Sequence, residues 1–263
     1  MQQPQLLNVE VSEGVARVTL NRPAVRNAFN AQLIEELRTT FRNIAEGALR
    51  EVRAVVLGGA GQSFCAGADV SWMRSSLEFT HEQNVADATH MANMFDHINR
   101  CPVPVIARIQ GAALGGGVGL AAVCDIVVAA EDAVWAFSEV KLGIAPAVIS
   151  PYVLAKIGRS HARALFLTAE RFDSRRAQQI GLAHVVVPEE QLEAEVERLV
   201  REIKSSSPKA IAKAKELIAT VPTLSPTEAM ELTAQTIAAL RISPEGQEGL
   251  RAFLEKRKPG WAS

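Results

Sequence analysis

Glu139 is the first residue whose type and setting could do chemistry. Its downstream neighbours Val140, Leu142, Ile144, Ala145 and Pro146 are mostly apolar. A carboxylate in such company is either a paired structural charge or a proton-transfer group with a pKa raised by burial. The second candidate is backbone rather than side chain. Gln110 to Asp125 reads Gln-Gly-Ala-Ala-Leu-Gly-Gly-Gly-Val-Gly-Leu-Ala-Ala-Val-Cys-Asp. Gly115, Gly116 and Gly117 cost backbone entropy, so something must require them. Unpaired N–H groups at a helix start suit a phosphate, or an oxygen that becomes negative during a reaction. The alternative is close packing of a short helix onto a sheet, and from this stretch alone both readings stand.

Other reactive residues form no compact motif. His81, His90 and His97 lie in one polar helical stretch and read as surface or satisfied packing residues. Cys65, Cys101 and Cys124 are an odd, sparse set, which suggests free thiols in a reducing, cytoplasmic compartment. No Cys/His spacing suits zinc, so no metal is expected. Gly117 to Ala122 fits the dinucleotide pattern G-x-G-x-x-A, with Glu139 downstream as the acid. That fingerprint should begin where a strand ends, yet Gly111 to Gly116 already forms a loop before it, so the dinucleotide reading is set aside.

The elements that must position these groups follow from apolar spacing. Val15 to Leu20 reads as a strand and Asn21-Arg22-Pro23 as a turn. Asn30 can cap a helix with Leu33, Ile34, Leu37, Phe41 and Ile44 on one face. Arg53 to Leu57 is a second strand, parallel to the first across this helix. Ser63 to Asp69 is a small-residue loop, and Ser71 to Arg100 reads as one helical stretch. Pro102 and Pro104 precede a strand from Val105. Further strands are expected at Ile126 to Ala130, Val134 to Phe137 and His184 to Val187. Helices are expected at Ser160 to Leu167, Ser174 to Ile180, Pro188 to Ser206, Pro226 to Leu240 and Pro244 to Lys256. Another begins at Pro208, with Lys209, Lys213 and Lys215 mostly on its solvated side.

The chain has 263 residues, 48% of them hydrophobic and 22% charged, as expected of a globular α/β protein. A net charge of −1 leaves no footprint for nucleic acid or an anionic membrane. No apolar run reaches the ~20 residues needed to span a bilayer. Met1 to Gln5 carries no secretory pattern.

Taken together, the motifs resemble the crotonase family of enoyl-CoA hydratases and isomerases. Arg22 to Ala28, Phe64 to Asp69, Leu114 to Ala121 with Cys124-Asp125-Ile126, Ser138 to Pro146, and Phe253 to Pro259 are similar to its signatures, in order along nearly the whole chain. The resemblance implies an α/β core of repeated ββα turns over residues 1–200. It also implies a C-terminal helical region, residues 201–263, that joins subunits into a trimer or a hexamer. The substrate would be an acyl-CoA thioester, so coenzyme A arrives with the substrate and no separate cofactor is implied. By the same resemblance the N–H groups of Ala68 and Gly116 form the oxyanion hole, and Glu139 moves the proton at Cα. Ala24, Arg26, Ala66 and Asp69 fall where the family holds coenzyme A, and Phe253 and Lys256 where it reaches the nucleotide end.

One departure bears on the reaction. Family members with two glutamates carry the first where this chain has Gly119. A single glutamate resembles the isomerases. Gly119 with Ala145 to Pro151 also resembles bacterial hydratases of branched or glutaconyl thioesters, such as methylglutaconyl-CoA hydratase, and this second resemblance involves more positions. Hydration of a 2-enoyl-CoA is therefore expected ahead of isomerisation, and both ahead of a non-catalytic acyl-CoA-binding homologue. A glutamate placed at Gly119 is expected to supply the missing acid. The acyl pocket is expected to draw on the Ser71 to His97 region.

Overall fold

The computed structural model describes residues 5–49 and 51–262. Met1 to Pro4, where the sequence shows no secretory pattern, lie outside the described residues, as do Arg50 and Ser263. The elements run β1 (Leu7–Ser12), β2 (Val15–Leu20), α1 (Ala31–Ala45), β3 (Ala54–Gly59), α2 (Val70–Ser76), α3 (His81–Asn99), β4 (Val105–Ile109), β5 (Ala112–Leu114), α4 (Gly116–Val123), β6 (Ile126–Ala130) and β7 (Val134–Ala136). After these come α5 (Ser150–Thr168), β8 (Phe172–Asp173), α6 (Ser174–Gln179), β9 (Val185–Val187), α7 (Leu192–Ser205), α8 (Pro208–Thr220), α9 (Pro226–Ile242) and α10 (Pro244–Leu254).

One sheet has the order β1-β2-β3-β4-β6-β9, and a smaller one has β5-β7-β8. Strands β2, β3, β4, β6 and β9 are mutually parallel, as the crossover through α1 requires. Alternation along the strands divides the core in two. Val55, Leu57, Ala107 and Val127 face α1, α3 and α4, while Ala54, Val56, Ile106 and Val128 face Leu192, Val196 and Val200 of α7. Asn30 caps α1 by accepting from the Leu33 N–H at 2.9 Å, and all five apolar residues expected on that helix are buried. The mixed α/β fold with a parallel-rich sheet is the one the sequence implies.

Four expectations need correction. A strand, β1, precedes the one expected first and pairs with it through Glu13 and Gly14, both with positive φ, as a tight hairpin turn requires. The stretch Ser71 to Arg100 is two helices. Thr80 starts the second with a capping box, a signal the apolar spacing does not carry. The expected boundary at residues 200 and 201 falls inside α7, which runs on to Ser205.

Lys215 is not solvated. Its Nζ donates to Asp125 Oδ2 at 2.5 Å, and the same carboxylate oxygen accepts the Val105 N–H at 2.7 Å. The pair therefore ties α8 to the residue that ends the α4 turn. Both side chains are largely shielded, at 16% and 29% exposure. Lys215→Met should cost about 1–3 kcal/mol in urea unfolding, between an exposed pair and a fully buried one. A midpoint unchanged from the parent would show that the tether is idle.

Candidate active site

The site is built where the end of β5 meets the start of α4. Gly115 sits at φ 52°, ψ −119°, a conformation that residues with a side chain avoid. A Cβ there would also stand 3.2 Å from Glu139 Oε1. Gly117 lies so close to Cys65 that a Cβ would overlap the Cys65 carbonyl oxygen. The glycines thus serve both readings of the sequence. They let α4 close on the neighbouring loop, and they leave the helix N-terminus bare.

That neighbouring loop, 63–69, is stitched on both sides. Cys65 N–H donates to Ala112 O at 2.9 Å, and Cys65 O accepts from Leu114 N–H at 3.0 Å. On the other side Phe29 N–H donates to Gly67 O at 2.7 Å, and Asp69 N–H donates to Phe29 O at 2.8 Å. In this parallel bridge Phe29 pairs with the residues flanking Ala68, so the N–H of Ala68 itself points away. A Cβ on Gly67 would lie 3.0 Å from Leu114 O, which sets Ala68 beside the start of α4. Among the described residues neither the Ala68 nor the Gly116 N–H has a backbone acceptor. Two donors with no backbone acceptor, one of them at a helix N-terminus, are the kind of groups that can donate to a carbonyl oxygen gaining negative charge.

Glu139 follows β7 and opens a single 3-10 turn, Glu139–Leu142, which Gly143 ends at φ 76°. Its Oε1 faces Gly115, and its Oε2 is buried with no hydrogen-bond partner. Burial pushes its carboxyl above the usual glutamate range. No cation pairs with it among the described residues, so the proton-transfer reading is the one its surroundings favour. The structure therefore brings together Ala68, Gly116 and Glu139.

Ala24, Arg26 and Ala66 also converge, because Ala66 N–H donates to Arg26 O at 2.9 Å. Arg26 holds a left-handed φ of 52° at the end of the short Pro23–Val25 turn and is exposed. Asp69 is different. Its Oδ2 accepts from Arg22 Nη2 at 2.7 Å and its Oδ1 from the Ser71 N–H at 2.7 Å, which caps α2. Burial alone would raise its carboxyl, but the Arg22 guanidinium and the α2 backbone outweigh it and hold the pKa low. The carboxylate is thus turned onto Arg22 and the start of α2, where it clamps the loop. Arg22 also donates to Ala28 O at 2.5 Å, so it joins the first motif to the second. Its sequence position inside that first motif was visible; its partner was not. Phe253 lies in the last turn of α10 and Lys256 just beyond it, both exposed and apart from these loops in sequence.

Gly119 stands one helical turn below Gly115, since its N–H donates to Gly115 O at 3.2 Å. A Cβ on Gly119 would lie 3.0 Å from Ile149 Cβ and 3.1 Å from Phe95 Cζ, and would overlap Ile149 Cγ2. The expectation that a glutamate at Gly119 would simply supply a second acid is therefore corrected. The space is already filled. Sequence reading missed Ile149 because nothing in its local pattern points to a residue thirty positions upstream.

The remaining candidates stay apart from the site. His90, exposed on α3, has its Nε2 2.9 Å from Glu35 Oε2, and the half-buried His97 has its Nδ1 2.7 Å from Asn93 O. All three cysteines are free and buried, and burial pushes the thiols of Cys65 and Cys124 up to about 12. Among the described residues no cluster of His, Cys, Asp or Glu could hold a metal, and no helix is long and apolar enough to cross a membrane.

Comparison with known proteins shows the family and the fold. The enoyl-CoA hydratase/isomerase family profile matches residues 10–263. Enoyl-CoA hydratase AKT6-1 of Alternaria alternata is 33% identical over 248 residues, covering 93% of this chain and 80% of its own. The crystal structure of an enoyl-CoA hydratase from Shewanella pealeana superposes with a TM-score of 0.93 at 37% identity, covering 98% of this chain and 96% of that one. Pseudomonas aeruginosa AtuE superposes with a TM-score of 0.95 at 37% identity, covering 98% and 100%. With a fold and a sequence profile that coincide over almost its whole length, the chain belongs to the enoyl-CoA hydratase/isomerase family.

Proposed function

We propose that the protein is an enoyl-CoA hydratase in which Glu139 is the single side chain that moves a proton. The buried, unpartnered Oε2 of Glu139 beside the bare start of α4 carries this reading. The thioester oxygen would accept from Ala68 and Gly116 N–H, so negative charge spreads onto it as water adds at C3. Glu139 would then give a proton to C2 and recover one from the water. Ala24, Arg26 and Ala66 would hold coenzyme A at the exposed edge of the two loops, with Arg26 offering a cation to its phosphates. Phe253 is 81% exposed, which suits contact with the nucleotide end in a neighbouring copy of a trimer or hexamer. The motif from Ala145 to Pro151 supports a branched or glutaconyl-type acyl group.

The filled space at Gly119 favours one second reading. With no acid there, a single carboxylate could instead carry a proton between C2 and C4 and shift a double bond. Both readings are tested with the purified enzyme. Loss of conjugated thioester absorbance from crotonyl-CoA is expected for a hydratase. Its appearance from a 3-enoyl-CoA, with crotonyl-CoA left unchanged, would replace hydration by isomerisation.

A further inference from the structure

Beyond Glu139 and the two bare N–H groups, a buried apolar wall packs along one side of α4. Ile149 is 3% exposed and packs directly on Gly119. Phe95 of α3 meets the same spot and stands edge-on to Phe29 with ring centroids 6.3 Å apart. Phe29 in turn lies against Gly116, where a Cβ would come within 2.8 Å of its ring. A continuous apolar surface therefore runs from the oxyanion donor at Gly116 down one side of α4 to Gly119. Three residues of helix rise about 4.5 Å, roughly the length of a few carbon–carbon bonds. An acyl chain held by its carbonyl at Gly116 and running along this side of α4 would meet that wall with its distal carbons.

We propose that Ile149 is a specificity-determining residue that limits acyl-chain length by filling the space beside Gly119. The proposal rests on the enoyl-CoA reading of the same site. Ile149 and Gly119 form a volume-complementary pair, because a side chain at one position leaves no room for that at the other. An isoleucine adds three carbons beyond an alanine, and a single methylene in an apolar pocket already discriminates between substrates by ~10–200-fold.

The test compares the parent with Ile149→Ala, Ile149→Val, Gly119→Ala and the Gly119→Ala/Ile149→Ala pair. Turnover is measured on crotonyl-CoA and on 2-octenoyl-CoA, and inhibition by butanoyl-CoA and octanoyl-CoA. Ile149→Ala should raise the ratio of kcat/KM for the eight-carbon over the four-carbon substrate by ~10-fold or more. Ile149→Val should move it less, in the same direction, and the two inhibitors should follow the same order. Gly119→Ala alone should lower the melting temperature, and Ile149→Ala should relieve that loss in the pair. A folded Ile149→Ala whose ratios stay within two-fold of the parent on turnover and on inhibition would overturn the proposal while leaving the enoyl-CoA reading intact. So would additive melting shifts in the pair. A parent that neither turns over nor binds any of these thioesters would instead remove the enoyl-CoA reading, and this inference with it.

Discussion

Glu139→Gln is expected to lose turnover by ~100-fold or more, the range for removing a general acid–base group. The amide keeps the shape of the side chain and can still pack beside Gly115, so affinity for a saturated acyl-CoA should stay near the parental value. Exchange of the C2 hydrogen with deuterated water should vanish with turnover, because hydration and isomerisation both need that proton moved. Stability should move the other way. Burial raises the carboxyl of Glu139 above the ordinary value. The folded chain then holds this proton more tightly than the unfolded chain does. The favourable contribution is complete at pH below the ordinary carboxylate range and is lost as pH rises through the raised value. The glutamine variant has no charge to bury. Its melting temperature relative to the parent should therefore increase from acidic to alkaline buffer. Parental exchange in the variant would pass the role to another acid. Asp69 is a poor heir, since Arg22 and Ser71 already occupy its oxygens.

Much of this site is legible in the sequence because its parts are local. The glycines at 115 to 117, the small-residue loop before Asp69 and the acid after a short strand each sit within a few residues of the backbone they shape. The alternating apolar strands around them lead to a parallel-rich sheet for the same reason. What escaped is what depends on distant packing. Lys215 looks solvated on its own helix, and only the fold brings it to Asp125. Asp69 matches a ligand-binding position, and only the fold turns it onto Arg22. Gly119 reads as a missing acid, whereas in three dimensions it is the floor beneath Ile149. The break between α2 and α3 lay in cap chemistry at Thr80, which apolar periodicity does not report.

Ala68→Pro is expected to cut kcat by about 10²–10³, the effect of losing one oxyanion donor, or ~3–4 kcal/mol of transition-state stabilisation. The substitution is unusually clean here. Proline removes an N–H, but among the described residues this N–H has no acceptor, so folding loses no such bond directly. The bonds that hold the loop belong to its neighbours, from Phe29 N–H to Gly67 O and from Asp69 N–H to Phe29 O. The preceding residue is Gly67 at φ 92°, which tolerates the restriction that proline imposes on the residue before it. The Arg22–Asp69 pair still clamps the far side of the loop. Ala68→Gly keeps the donor and serves as the control for altered packing, and it should stay within a few-fold of the parent. Exchange of the C2 hydrogen should fall in Ala68→Pro as well, for a reason different from that in Glu139→Gln. The base remains, but the enolate it would form has lost a donor. Melting temperature should change little. A folded Ala68→Pro enzyme with parental kcat and parental exchange would show that the thioester oxygen rests elsewhere, and that the free N–H at position 68 is only a by-product of the bridge to Phe29.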